Sequence, residues 1–102
     1  MSIMSQKKIL IAEDEVLVAQ YLTVELESSG YTVCACVSSG EEAVGKAQQL
    51  HPDILLFDIN LGQGMNGIEA AAEILKHRKV PVVFMFCYCG DHYHTAAQKI
   101  EE

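Results

Sequence analysis

Basic residues are scarce in this sequence: seven Lys and Arg stand against fourteen Asp and Glu, a formal net charge of −7. A phosphate backbone would repel such a surface, so direct nucleic-acid binding is not expected. No apolar run approaches the ~20 residues of a membrane span. Met1 to Gln6 also lacks the charged and apolar regions of a signal peptide. Linkers, internal repeats and low-complexity stretches are missing too. These absences point to a soluble, cytoplasmic protein with no membrane attachment. Apolar residues, in contrast, make up half of the 102-residue chain and charged ones 21 %, the composition of one small globular domain spanning residues 1–102.

The four cysteines, Cys34, Cys36, Cys87 and Cys89, form two C-x-C pairs inside apolar stretches. A reducing compartment and an ample apolar core make buried free thiols the expected state, in place of a disulfide framework.

Hydrophobic period alternates along the chain. Lys8 to Ala12 is a short continuous apolar run, followed by the acidic cluster Glu13-Asp14-Glu15. Val16 to Ser29 reads as a helix closed by Gly30, and Tyr31 to Val37 as a strand. Glu41 to Leu50 is a second helix with acids in its first turn, stopped at His51-Pro52. Asp53 to Asp58 is a buried strand, Leu61 to Gly67 a glycine-rich loop and Ile68 to Lys79 a third helix. Pro81 to Phe86 is a fourth strand, and Asp91 to Glu102 a last helix with Asp91 as its cap. Ile74, Leu75, Leu50 and Ala71 fall at core positions by helical spacing. Strands that are apolar throughout belong to parallel sheets covered on both faces. Right-handed crossovers then require a doubly wound α/β sheet of four β-α units.

Ligands of such sheets bind beyond the carboxyl ends of the strands, at the switch point of strand order. The first strand runs into Glu13-Asp14 and the third ends in Asp58. On neighbouring strands these three carboxylates converge, and such a cluster calls for a cation. Hard oxygen donors with room for water suit Mg²⁺ or Mn²⁺. The plainer role for an acid at a strand end is a helix N-cap, which Asp14 or Glu15 could fill.

The run Ile9-Leu-Ile-Ala-Glu-Asp-Glu15, then Pro52-Asp-Ile-Leu-Leu-Phe-Asp-Ile59, then Gly67-Ile-Glu69 and Val80-Pro-Val-Val82, resembles a response-regulator receiver domain of two-component signalling. The resemblance covers essentially the whole chain. It implies the flavodoxin-like receiver fold, a sheet of order 2-1-3-4-5, and phosphorylation of one aspartate by a sensor histidine kinase or phosphotransfer protein with Mg²⁺. Carried over by position, Asp58 is the phosphoacceptor, Glu13 and Asp14 hold the metal, and the backbone carbonyl of Asn60 is a further ligand. The chain would then be an acceptor in a phosphorelay and not an enzyme.

Three features depart from that family. Receivers place Ser or Thr just past the fourth strand, where this chain has Phe86, or Cys87 one residue on. Phenylalanine has no hydrogen-bond donor and a thiol is a weak one. The family's lysine at the end of a fifth strand has no counterpart, since Lys99 falls in the last helix. The chain thus reads as four β-α units of order 2-1-3-4 with the fifth unit absent, a C-terminally incomplete domain. The loop after Asp58 is longer and richer in glycine than the family's, which allows a looser path. A degenerate or truncated receiver acting as a phosphorylation-independent interaction module is the alternative reading.

Cys87-Tyr-Cys89 with His92 and His94 supplies zinc-type ligands, but paired cysteines in structural zinc sites are usually two to four residues apart. Free thiols and solvated histidines are the simpler expectation. A homodimer is expected from what the absent unit leaves bare. Pro81 to Phe86 becomes an unprotected edge, and the first helix carries two apolar stripes, Val18-Leu22-Leu26 and Leu17-Tyr21-Val24, of which only one can cover the sheet.

Overall fold

The computed structural model describes residues 6–86. Four parallel strands, β1 (Lys8–Ala12), β2 (Thr32–Val37), β3 (Ile54–Asp58) and β4 (Val82–Met85), form one sheet of order β2-β1-β3-β4. Three helices connect them: α1 (Val16–Ser28), α2 (Gly40–Leu50) and α3 (Gly67–Leu75). The expected doubly wound parallel sheet of order 2-1-3-4 is present. Cys87, Cys89, His92, His94, Lys99 and the expected helix from Asp91 to Glu102 lie outside the described residues.

β1 and β3 pair in the middle of the sheet, and Leu10, Ile11, Leu55 and Phe57 are fully buried there. Burial of each such side chain contributes about 1.5–3 kcal/mol. On one face Leu10, Ala12, Leu55 and Phe57 pack with Ala43 and Ala47 of α2 and Ala70, Ala71 and Ile74 of α3. Small alanines let both helices approach the sheet closely. On α1 the stripe Val18-Leu22-Leu26 is half-buried around the buried Ala19. The second stripe faces water: Leu17 is 78 % and Tyr21 63 % exposed.

Helix ends follow local chemistry. α1 closes on a pair of reversed hydrogen bonds, Gly30 N–H to Glu27 O and Tyr31 N–H to Leu26 O. Glu15 occupies the N-cap position of α1, but its side chain makes no capping bond. Ser39 caps α2 by accepting from the Glu42 amide, and Asn66 and Glu69 cap α3 reciprocally. α3 ends at Leu75, four residues before the sequence expectation of Lys79. Lys76 and His77 donate to carbonyls three residues back and tighten the helix off. Leu75 is consequently 44 % exposed and does not join the core, whereas Ala71 and Ile74 do.

β2 departs from regular pairing. Its register with β1 slips between Ile9↔Val33 and Leu10↔Ala35, leaving Cys34 as the extra residue of a bulge. The Cys34 thiol donates to the Ile9 carbonyl at 3.4 Å and packs on the α2–α3 side, as does Ala35. Cys36 lies instead toward α1, its sulfur 3.4 Å from Thr23 Oγ1, and is exposed. A regular strand would place residues 34 and 36 on one face; the bulge separates them, and the expectation of buried thiols fails for the exposed Cys36 and is met only in part by the half-buried Cys34.

Candidate functional site

Asp58 is the last residue of β3, and Glu13 and Asp14 follow the last residue of β1. Because these strands are adjacent, the three side chains meet: one carboxylate oxygen from each lies within 4.8 Å of the others. Glu13 and Asp58 are each only 5 % exposed, while Asp14 opens to solvent. Among the described residues none of the three is ion-paired; the one salt bridge there is Lys76–Glu73.

Backbone contacts hold this arrangement. The Glu13 amide donates to Val37 O at 2.9 Å, tying the end of β1 to the end of β2. The Ile59 amide donates to Met85 O at 3.1 Å, carrying the ladder one residue past Asp58. The Gly67 amide then donates to Ile59 O at 3.0 Å, seating the start of α3 on the β3 terminus. A β-carbon on Gly67 would overlap the carbonyl oxygen of Asp58, so only glycine allows this approach. Asp58 Oδ1 accepts the Asn60 amide at 3.1 Å, and Glu13 Oε2 accepts the Glu15 amide at 3.1 Å.

Burial dominates the electrostatics. It pushes the Glu13 carboxyl up to about 7, aided by the neighbouring charges of Asp58 and Asp14 and offset in part by the Glu15 amide. Asp58 is raised for the same first reason, against the lowering effect of the Asn60 amide. Two buried acids that resist ionisation side by side, with an exposed third at the mouth, form an all-oxygen donor set that fits a divalent cation such as Mg²⁺ or Mn²⁺. Further acids surround it: Glu15 at the α1 cap, Glu41 and Glu42 in the first turn of α2, and Glu69 in that of α3. The loops at this end, residues 13–15, 38–39 and 59–66, contain no Lys or Arg.

The structure therefore brings together Glu13, Asp14 and Asp58, with the Asn60 backbone beside them. Phe86 follows Met85, the register partner of Asp58, and is 48 % exposed. It offers no donor to the site; Cys87, the other residue considered there, lies outside the described residues. A cavity of about 690 Å³ opens beside Glu13 and Asp14 between α1, the end of β2 and α2, and both Thr23 and Cys36 line it. Sequence reasoning gave no warning of this cavity, because it depends on how α1 lies over the bulged strand.

A doubly wound parallel sheet with an acid cluster at the carboxyl ends of its adjacent central strands defines a flavodoxin-like module with a candidate cation site at its switch point. Residues 9–101 match the response regulator receiver domain, and the chain belongs to that family. It is 34 % identical over 82 residues to the transcriptional regulatory protein PdtaR of Mycobacterium tuberculosis, an alignment covering 80 % of this chain and 40 % of that protein. It is 39 % identical to the chemotaxis protein CheY of Thermotoga maritima, covering 69 % of this chain and 58 % of that one. The crystal structure of the signal receiver domain of a modulated diguanylate cyclase from Desulfovibrio desulfuricans superposes with a TM-score of 0.76 at 40 % identity, covering 83 % of this chain and 67 % of that one. The chain spans about two fifths of the length of PdtaR and under three fifths of that of CheY. No helix among the described residues is long and apolar enough to cross a membrane.

Proposed function

We propose that this domain is a phosphorelay acceptor, taking a phosphoryl group onto Asp58 from a sensor histidine kinase or phosphotransfer protein. The observation that carries this reading is the burial of Asp58 at the tip of β3 beside Glu13 and Asp14. Glu13, Asp14, Asp58 and the backbone carbonyl of Asn60 are the residues that would hold Mg²⁺ or Mn²⁺. Such a cation neutralises charge on the phosphoryl oxygens during transfer. Oδ1 of Asp58 accepts the Asn60 amide, which orients the carboxylate for attack. The oxygen–phosphorus bond forms as the donor's phosphorus–nitrogen bond breaks, the imidazole departs, and an acyl phosphate results. The chain is the acceptor, and no turnover of its own is assigned.

Incubation with acetyl phosphate and Mg²⁺, followed by intact mass, tests this. The expected result is one added phosphoryl group, abolished in Asp58→Asn. No addition, or addition that survives the substitution, overturns the reading.

The water-facing stripe Leu17, Tyr21 and Val24 supports a second role, self-association independent of phosphorylation. Among the described residues β4 also has no neighbour on its outer side. Sedimentation equilibrium at micromolar concentration should return a dimer that Tyr21→Glu or Val83→Lys dissociates. A soluble monomer with cooperative melting counts against it.

A further inference from the structure

The loop between β3 and α3 carries Asn60 at one limb and is fastened to α2 at the other. Glu41 Oε2, in the first turn of α2, accepts the Met65 amide at 3.0 Å. Two glycines make that approach possible. A β-carbon on Gly64, whose φ is +82°, would lie 2.9 Å from the same carboxylate oxygen. One on Gly40 would meet the Met65 carbonyl oxygen at 2.5 Å. The near limb reaches the acids directly: Asn60 donates to Asp58, and a β-carbon on Gly62 would come within 3.6 Å of Asp14 Oδ2. The expected looser path is thus a fastened one. Acids in a first helical turn ordinarily complement the helix dipole. Here Glu41 spends its carboxylate on another element's backbone, whereas its neighbour Glu42 stays local, accepting the Ser38 amide just before the α2 N-cap at 3.1 Å.

We infer that Glu41 is a positioning residue for the cation site, acting through the Met65 amide to hold the loop that presents Asn60. The inference rests on reading Glu13, Asp14 and Asp58 as that site. It assigns α2 a part in cation affinity although no α2 side chain belongs to the acid cluster.

Mg²⁺ and Mn²⁺ titrations of the full chain, wild type and variants, test it. Glu41→Ala should weaken binding roughly three- to tenfold, below the usual outer-shell range because this hydrogen bond is exposed. Exchange of the Met65 amide should quicken in the same variant. Glu41→Gln keeps an oxygen acceptor but loses the charge, and should bind within about twofold of wild type. Equal losses in the two variants would mean that charge matters and the clasp does not, which overturns the inference. Ala47→Gly, a destabilising change elsewhere on α2, should leave affinity unchanged; a loss matching that of Glu41→Ala overturns it as well. Asp58→Asn separates the two readings. If it weakens binding while Glu41→Ala does not, only the positioning role fails; if it changes nothing, the cation site itself fails.

Discussion

Gly67 and Asp58 are packed backbone against backbone, with the carbonyl carbon of Asp58 2.9 Å from where a Gly67 β-carbon would stand. At an ordinary helical position Gly→Ala stabilises by up to about 1 kcal/mol. Gly67→Ala should do the reverse, costing about 3 kcal/mol as α3 is forced off the strand end. Urea unfolding gives the sign directly, and a stabilised variant would refute the packing.

Asp58→Asn removes one of two buried acids from the cluster while keeping an oxygen to accept the Asn60 amide. Without divalent cation at pH 8, stability should rise, because the neutral amide escapes the burial cost that raises the Asp58 carboxyl and the repulsion of Asp14. Thermal unfolding in chelator is the measurement; a lower midpoint than wild type would contradict it.

Glu13 holds its proton up to about pH 7 in the fold, against a normal 4.5. Between those values the folded state carries the extra proton, so stability falls as pH rises through the window, by ~3 kcal/mol in all for this group. Asp58 is raised too and adds in the same direction. A cation competes with that proton, so Mg²⁺ affinity should increase from pH 5 to pH 8. Denaturant midpoints and titrations across this range check both signs, and Glu13→Gln should flatten them.

The two β2 thiols should differ in reactivity. Burial raises the Cys34 thiol, whereas Cys36 is exposed beside a cavity large enough to admit a reagent. Peptide mapping after brief alkylation at neutral pH should find Cys36 modified well before Cys34. Equal rates would show that the bulge does not separate them.

Beryllofluoride with Mg²⁺ should perturb amide resonances around Asp58 and Asn60 but only weakly along β4. Phe86, one residue past the partner of Asp58, has no hydroxyl to follow the bound group. Large shifts across Val82 to Met85 would show another route of transmission.

The sheet was legible because apolar runs end abruptly at glycines, prolines and acids, and the acid cluster because it falls at strand tips. Asp58 follows four apolar residues, a position that a solvated loop acid would not occupy. The α3 terminus was harder, since Lys76-His77-Arg78-Lys79 contains no glycine or proline to stop a helix. The bulge at Cys34 left no trace, because one extra residue in a strand is indistinguishable from a longer strand. Glu41 reads as a dipole partner, and its actual bond depends on a loop that only the tertiary fold brings within reach.

The crowd of carboxylates at one end of the sheet has a kinetic consequence. A small anionic phosphoryl donor must climb a repulsive field to reach Asp58, and no Lys or Arg in the described loops around it, residues 13–15, 38–39 and 59–66, draws it in. Added salt should therefore accelerate that encounter, the opposite of what salt does to attraction-steered association. A donor carried on a docking protein escapes the penalty, because contacts elsewhere on its surface hold it in place.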